Sequence, residues 1–197
     1  MPAAIAETVR IALSKTSKSP IVDTSLTPAG VMLLVYRKDG MPWVLLSRRS
    51  QMLTRHSGEI AFPGGREEKS DRDLKETALR ETFEEIGIRP EHVEVLGELD
   101  DVQTPTNFVI SPFVGVFPYP YKFRLNGEVS ELIEVPIPAL VDEANVRADM
   151  RIVDGEPMRI PSYSYEGQLI YGATARVLEQ FLRVVTQPSD GHGLWRN

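Results

Sequence analysis

The sequence contains no cysteine. That absence excludes disulfides, thiolate metal ligands and a cysteine nucleophile, and it fits a cytoplasmic protein. Long apolar runs are also missing: none approaches the roughly 20 residues that a membrane-spanning helix needs. Positive charge is in deficit, with 22 Lys and Arg against 28 Asp and Glu and a formal net charge of −6. No general affinity for nucleic acid or for an anionic membrane surface is expected from such a chain. A polyanionic ligand would have to be met by metal ions or by a local basic patch. Internal repeats and low-complexity blocks are absent as well.

What remains is ordinary for a globular domain. The 197 residues are 42% hydrophobic and 25% charged, which suits one domain with a sizeable core. Residues 1–14 read as an amphipathic helix with Ile5, Val9 and Leu13 on one face. A signal peptide would want a charged start and a longer apolar stretch, and Glu7 argues against a transit peptide. A helix docking at the domain edge is expected instead. Residues 15–28 are rich in Ser, Thr, Lys and Pro and read as a linker. The expected organisation is an N-terminal helix and linker over 1–28, a domain over 29–187 and a flexible tail over 188–197.

Within the domain, residues 29–37 and 43–47 are apolar and partly β-branched, and Asp39-Gly40 between them is a hairpin signal. Residues 48–58 are polar and basic and predict a loop. Residues 59–62 are short and extended, and Pro63-Gly64-Gly65 predicts a sharp turn. The clearest helix covers 71–86, with Asp71 as its cap and Gly87 just past its end. Strands are predicted at 93–99, 108–117, 131–135 and 158–165, the last demoted to an edge or bulge by Pro161. A helical turn over 136–142 and a final helix over 174–185 complete the pattern. Hairpins outnumber crossovers, which favours an α/β domain with a mixed sheet flanked by helices.

The helix over 71–86 carries the chemistry. Glu81, Glu84 and Glu85 stand at i, i+3 and i+4 and share one face, while Leu79, Phe83 and Ile86 are expected to face the core. Three like charges in one cluster repel, and a hard divalent cation such as Mg²⁺ or Mn²⁺ would resolve the conflict. Mg²⁺ favours phosphate oxygens as further ligands, so a phosphorylated small molecule is the expected partner. The plain alternative is a solvated acidic face paired with Arg80 and Lys75.

The string Gly64-Gly65-Arg66-Glu67-Glu68 followed by Arg80-Glu81-Thr82-Phe83-Glu84-Glu85-Ile86-Gly87-Ile88 resembles the Nudix box. The Arg-Glu-x-x-Glu-Glu-x-Gly-aliphatic segment matches in full. Thr82 stands where an aliphatic residue is usual. The spacing from Gly65 to Arg80 is one residue longer than in the general box, which puts the early glutamate out of register near Glu67 and Glu68. The resemblance implies a Nudix α/β/α sandwich with a mixed β-sheet. It implies metal ligation by Glu81, Glu84, Glu85 and a backbone carbonyl of Gly64 or Gly65, with Arg80 orienting a glutamate.

The stretch from Leu45-Leu46-Ser47-Arg48-Arg49-Ser50 through Arg55-His56-Ser57-Gly58 to Phe62-Pro63-Gly64-Gly65 resembles the signature of the coenzyme A pyrophosphatase branch. The longer box and the late segment Leu169-Ile170-Tyr171-Gly172-Ala173-Thr174-Ala175 are similar to that branch too. Thr54 occupies the place of a signature arginine, and Arg55 follows one residue later. Arg48, Arg49, Arg55, His56 and Arg66 are the implied substrate-binding cations. The implied reaction is hydrolysis of coenzyme A or its derivatives to 3′,5′-ADP and 4′-phosphopantetheine, with Glu128 and Glu131 as candidate bases outside the box. ADP-ribose, NADH, a dinucleoside polyphosphate or a nucleoside triphosphate would offer a diphosphate to the same helix, and a binding module without catalysis is the alternative outside enzymes. The N-terminal helix and residues 135–140 leave room for a homodimer.

Overall fold

Asp39 and Gly40 close the first hairpin, and both have positive φ, 51° and 82°. A two-residue turn between right-twisting strands requires this geometry. The turn joins β1 (Thr27–Lys38) to β2 (Met41–Arg49), with Lys38 paired to Met41. The computed structural model describes residues 2–52, 57–153 and 155–186. Thr54, Arg55, His56 and the predicted tail lie outside the described residues.

Helix α1 (Pro2–Ser14) precedes the hairpin. After it come β3 (Ile60–Ala61), β4 (Gly64–Arg66), helix α2 (Leu74–Ile86), β5 (Glu94–Glu98), β6 (Val102–Gln103), β7 (Phe108–Val116) and β8 (Val129–Pro136). There follow α3 (Ile137–Val141), β9 (Val146–Val153), β10 (Glu156–Tyr165), β11 (Gln168–Ile170) and α4 (Gly172–Thr186). The main sheet runs β3-β2-β1-β7-β5, with β4 beside β1, β6 beside β7 and β8 beside β2. β1 pairs parallel with β7 and antiparallel with β2 and β4, so the sheet is mixed as expected. β9, β10 and β11 form a separate three-stranded sheet.

Side-chain alternation sorts β1 and β2 onto two faces. Leu33, Val35, Val44 and Leu46 join a large apolar cluster with Ile5, Val9 and Leu13 of α1 and Val177, Leu178, Phe181 and Val185 of α4. Met32, Leu34, Tyr36 and Leu45 point the other way and meet Ala78 and Ile86 of α2. The sheet is therefore sandwiched between α2 on one side and α1 with α4 on the other. The N-terminal helix docks through the three residues that its spacing singles out, each buried.

Several expectations need correction. Arg48 and Arg49 end β2 rather than opening a loop. Gly64 and Gly65 belong to β4, paired with Val31 and Gly30, rather than to a free turn. The cap of α2 is Asp73, whose Oδ1 accepts from the Glu76 backbone N–H at 2.8 Å; Asp71 lies outside the helix. β6, β9 and β11 were not expected. Pro161 does lie at a local edge: it pairs with Ala148 of β9, while β11 pairs only with Tyr163, Ser164 and Tyr165.

Candidate active site

Gly30 and Gly65 face each other across β1 and β4, and both present bare backbone to α2. A Cβ on Gly30 would stand 2.2 Å from the Leu74 carbonyl oxygen, and one on Gly65 would stand 2.4 Å from Glu81 Oε1. The helix rests directly on this glycine pair. Leu74 and Ala78 pack over Gly30, and one helical turn further Glu81 lies over Gly65. Glu85 continues the same stripe and reaches the Gly64 backbone N–H at 3.4 Å.

Glu81 and Glu85 therefore face inward, which corrects the expected helix orientation. Glu85 is 4% exposed and Phe83 is 49% exposed. Of the three residues expected to face the core, Ile86 is buried, Leu79 is only partly buried and Phe83 is on the surface. The inward stripe holds Leu74, Ala78, Thr82 and Ile86. Thr82, where the box prefers an aliphatic residue, is fully buried and donates from Oγ1 to the Ala78 carbonyl at 2.6 Å. Bonding its hydroxyl back along the helix satisfies it locally, so a polar residue is tolerated there.

Burial sets the electrostatics of the stripe. Desolvation pushes the Glu85 carboxyl up to about 8, and the Arg49 guanidinium only partly offsets the rise, while Glu81 and Glu128 add to it. Glu81 is also raised, again chiefly by desolvation, against the pull of Arg80. A buried carboxylate needs a compensating positive charge. Among the described residues Glu85 has one distant N–H and Arg49 Nη1 at 3.7 Å. Oxygen donors short of positive charge beside a glycine strand fit a hard divalent cation.

Arg80 organises the outer side. It grips Asp71 through Nε and Nη2, both at 3.0 Å, and donates from Nη1 to Glu81 at 3.0 Å and Glu84 at 3.1 Å. Its Nη2 also reaches the Arg66 carbonyl at 3.2 Å. This fork holds the Asp71 carboxyl well below the ordinary carboxylate range and raises Arg80 further. Asp71 is thus the anchor of Arg80, a role that sequence reasoning missed. A carboxylate nine residues before the box arginine, outside the helix, was the available signal.

The structure brings Glu81 and Glu85 together against Gly64 and Gly65 and turns Glu84, half exposed, toward Arg80. Among the described residues no three acid or histidine side chains form a ready-made metal cage. Arg49 points to the same face as Glu85, and Glu128 stands beside it at 3.6 Å. Arg48 points away: it donates to Glu131 at 2.5 Å, to the Gly58 carbonyl at 2.9 Å and to Gln168. Arg66 is exposed at the end of β4. Glu131 is engaged by Arg48, on the side remote from α2, whereas Glu128 borders the acidic stripe.

Comparison with known proteins identifies the family. The NUDIX domain family model matches residues 26–151. An uncharacterized Nudix hydrolase NudL of Pectobacterium atrosepticum is 39% identical over 153 residues, spanning 75% of this chain and 78% of its own. The NudL protein of Photorhabdus laumondii is 35% identical over 162 residues, spanning 80% and 84%. A MutT/nudix family protein from Enterococcus faecalis shares the fold at a TM-score of 0.58 and 15% identity, over 98% of this chain and 77% of that one. No described helix is long and apolar enough to cross a membrane. With the family model matching more than half of the chain and relatives above 30% identity, the chain belongs to the Nudix hydrolase family, pyrophosphohydrolases of small-molecule diphosphates.

Proposed function

We propose that the chain hydrolyses the pyrophosphate bond of coenzyme A or its derivatives, giving 3′,5′-ADP and 4′-phosphopantetheine, with Mg²⁺ or Mn²⁺ held by Glu81, Glu84 and Glu85. The observation that carries the metal assignment is the pair of acids, Glu81 and Glu85, turned inward onto Gly64 and Gly65 with too little positive charge to balance them. A divalent cation there supplies charge neutralisation at the diphosphate and acidifies a water molecule. Glu84 joins the other two by turning from Arg80, and a carbonyl of the Gly64–Gly65 strand adds an oxygen that no side chain obstructs. Arg80, fixed on Asp71, keeps Glu81 from rotating away. Glu128, beside Arg49, is the candidate to accept a proton from the attacking water. The water attacks one phosphorus in line, the anhydride bond to the other phosphate breaks, and no covalent enzyme intermediate forms.

The coenzyme A assignment is supported by the stretch from Leu45 to Gly65. It frames the acidic stripe with Arg49 at one end and Gly64 and Gly65 at the other. The absence of cysteine supports a cytoplasmic place for the enzyme. The test is a panel of coenzyme A, ADP-ribose, NADH, diadenosine tetraphosphate and a nucleoside triphosphate, each with Mg²⁺, Mn²⁺ or chelator. Coenzyme A should give the highest kcat/KM, at least about tenfold above the others, a margin of about 1.4 kcal/mol. Higher kcat/KM on ADP-ribose or NADH would replace the substrate and keep the metal site. Undiminished turnover in chelator would remove the metal site.

A further inference from the structure

β2 ends in two arginines with opposite fates. Arg48 donates from each of its three guanidinium nitrogens, to Glu131, to the Gly58 carbonyl and to Gln168 of β11. It is a strut that ties the two sheets together. Arg49 emerges on the other face, as strand alternation requires. A β-bulge against β8, at the register shift between Arg48 and Arg49, helps to aim it.

Its backbone is fixed. The Arg49 N–H donates to the Glu59 carbonyl at 2.9 Å and its carbonyl accepts from the Gly58 N–H at 3.1 Å. Its guanidinium is under-used. Nη1 stands 3.7 Å from Glu85 and Nη2 stands 3.6 Å from Glu128, ion pairs too long to be hydrogen bonds. Arg49 Nε is the one buried side-chain nitrogen or oxygen without a hydrogen-bond partner among the described residues. Leaving such a donor unmade is costly, and a planar fork is best satisfied by two oxygens of one group. Glu85 and Glu128 instead each offer it one distant oxygen.

We propose that Arg49 is an exchangeable counter-ion, which pairs with Glu128 and with the ionised form of Glu85 in the free enzyme and is released by the divalent cation to take the substrate's diphosphate. The inference rests on the metal role of Glu81, Glu84 and Glu85 given above and assigns the order in which charges are traded. Cation and guanidinium compete for the carboxylate of Glu85, so each weakens the other's hold on it. Once the cation holds Glu85, the fork swings onto phosphate oxygens, its natural bidentate partner. Cation and diphosphate then bind with positive coupling, and by linkage each raises the other's affinity equally. Arg49 is in this sense a positioning residue for charge before it is a substrate contact.

Calorimetric titration of Mn²⁺, without substrate, into the wild-type protein and Arg49→Gln reads the exchange directly. Removing the competing cation should tighten Mn²⁺ binding about tenfold, while ADP, used as a diphosphate probe with Mn²⁺ present, should bind about tenfold more weakly. Arg49→Lys keeps a charge but cannot span both carboxylates, so it should shift both affinities in the same directions by less. It carries the test if Arg49→Gln does not fold. Mn²⁺ binding that is unchanged or weaker in the folded variants, or ADP binding that is unchanged, overturns the exchange. Absence of Mn²⁺ uptake by the wild-type protein overturns the metal assignment itself, a result read separately in the first titration.

Discussion

The two faces of the main sheet are built on different principles. The face under α1 and α4 is a continuous apolar cluster that includes Leu33, Val35, Leu46, Val177 and Phe181. The face under α2 has a smaller apolar cluster and also buries Thr77, Thr82 and Glu85. Burying a carboxylate is unfavourable unless it is paired, so the second face gives up stability that the first supplies. The comparison teaches where chemistry can be placed in a small domain: on the side that the remainder of the fold can hold under strain.

The largest effect expected from this division is functional. Glu85→Gln should lower kcat about a thousandfold, at the upper end of the loss on removing one electrostatic group from an active site. Far-UV circular dichroism should be unchanged. Wild-type turnover by that variant would break the division, because the buried acid would then be doing structural work. On the opposite face, Phe181→Ala should destabilise the protein by about 3–5 kcal/mol, as expected for a fully buried aromatic, while KM of the folded fraction stays put. A changed KM would show that the two faces are coupled.

A third measurement sharpens the comparison through pH. The Glu85 carboxyl is raised in the folded state from 4.5 to about 8. Between those values the folded state holds a proton that the unfolded chain has lost, so stability contributed by this group falls as pH rises. In chelator the melting temperature of the wild-type protein should therefore drop across that window more steeply than that of Glu85→Gln. Added Mn²⁺ should flatten the wild-type slope. Parallel slopes in chelator would show that Glu85 is better compensated than its contacts indicate. The smallest effect is expected at Thr82, whose hydroxyl is satisfied within its own helix. Thr82→Val removes donor and local bond together and should change stability by less than about 1 kcal/mol, measured by denaturant unfolding.

Much of this was legible in the sequence where local rules suffice. The Asp39-Gly40 hairpin, the docking face of α1 and the acidic repeat of α2 follow from two-residue and helical spacing alone. The inward turn of the acids depended on a partner distant in the chain. Spacing puts Glu81, Glu84 and Glu85 on one face of a helix, but it does not say that Glu81 and Glu85 turn inward while Glu84 stays exposed. That follows from Gly30 lying opposite Gly65, a pairing 35 residues apart. Phe83 looked like core because it is apolar, yet its side of α2 meets no sheet. Asp71 reads as a cap because it precedes the helix; Asp73 takes that place, and Asp71 pairs with Arg80, nine residues on in the helix. Adjacent Arg48 and Arg49 read as one basic patch until strand alternation sent them to opposite faces. β9 and β11 were missed because their pairing is with β10, and neither run is long or apolar enough to announce itself.

The glycine pair under α2 has a mechanical consequence. Because the helix meets β1 at Gly30 through main-chain atoms of Leu74 and Ala78, its seating depth there does not depend on the rotamer or size of any side chain. Remodelling of the α1 and α4 layer can swell or loosen that half of the molecule while the acids keep their height above the strand. The contact works as a hard stop at Gly30, where any side chain would have to lift the helix, whereas a side chain at Gly65 would displace the Glu81 carboxylate and leave the helix seated.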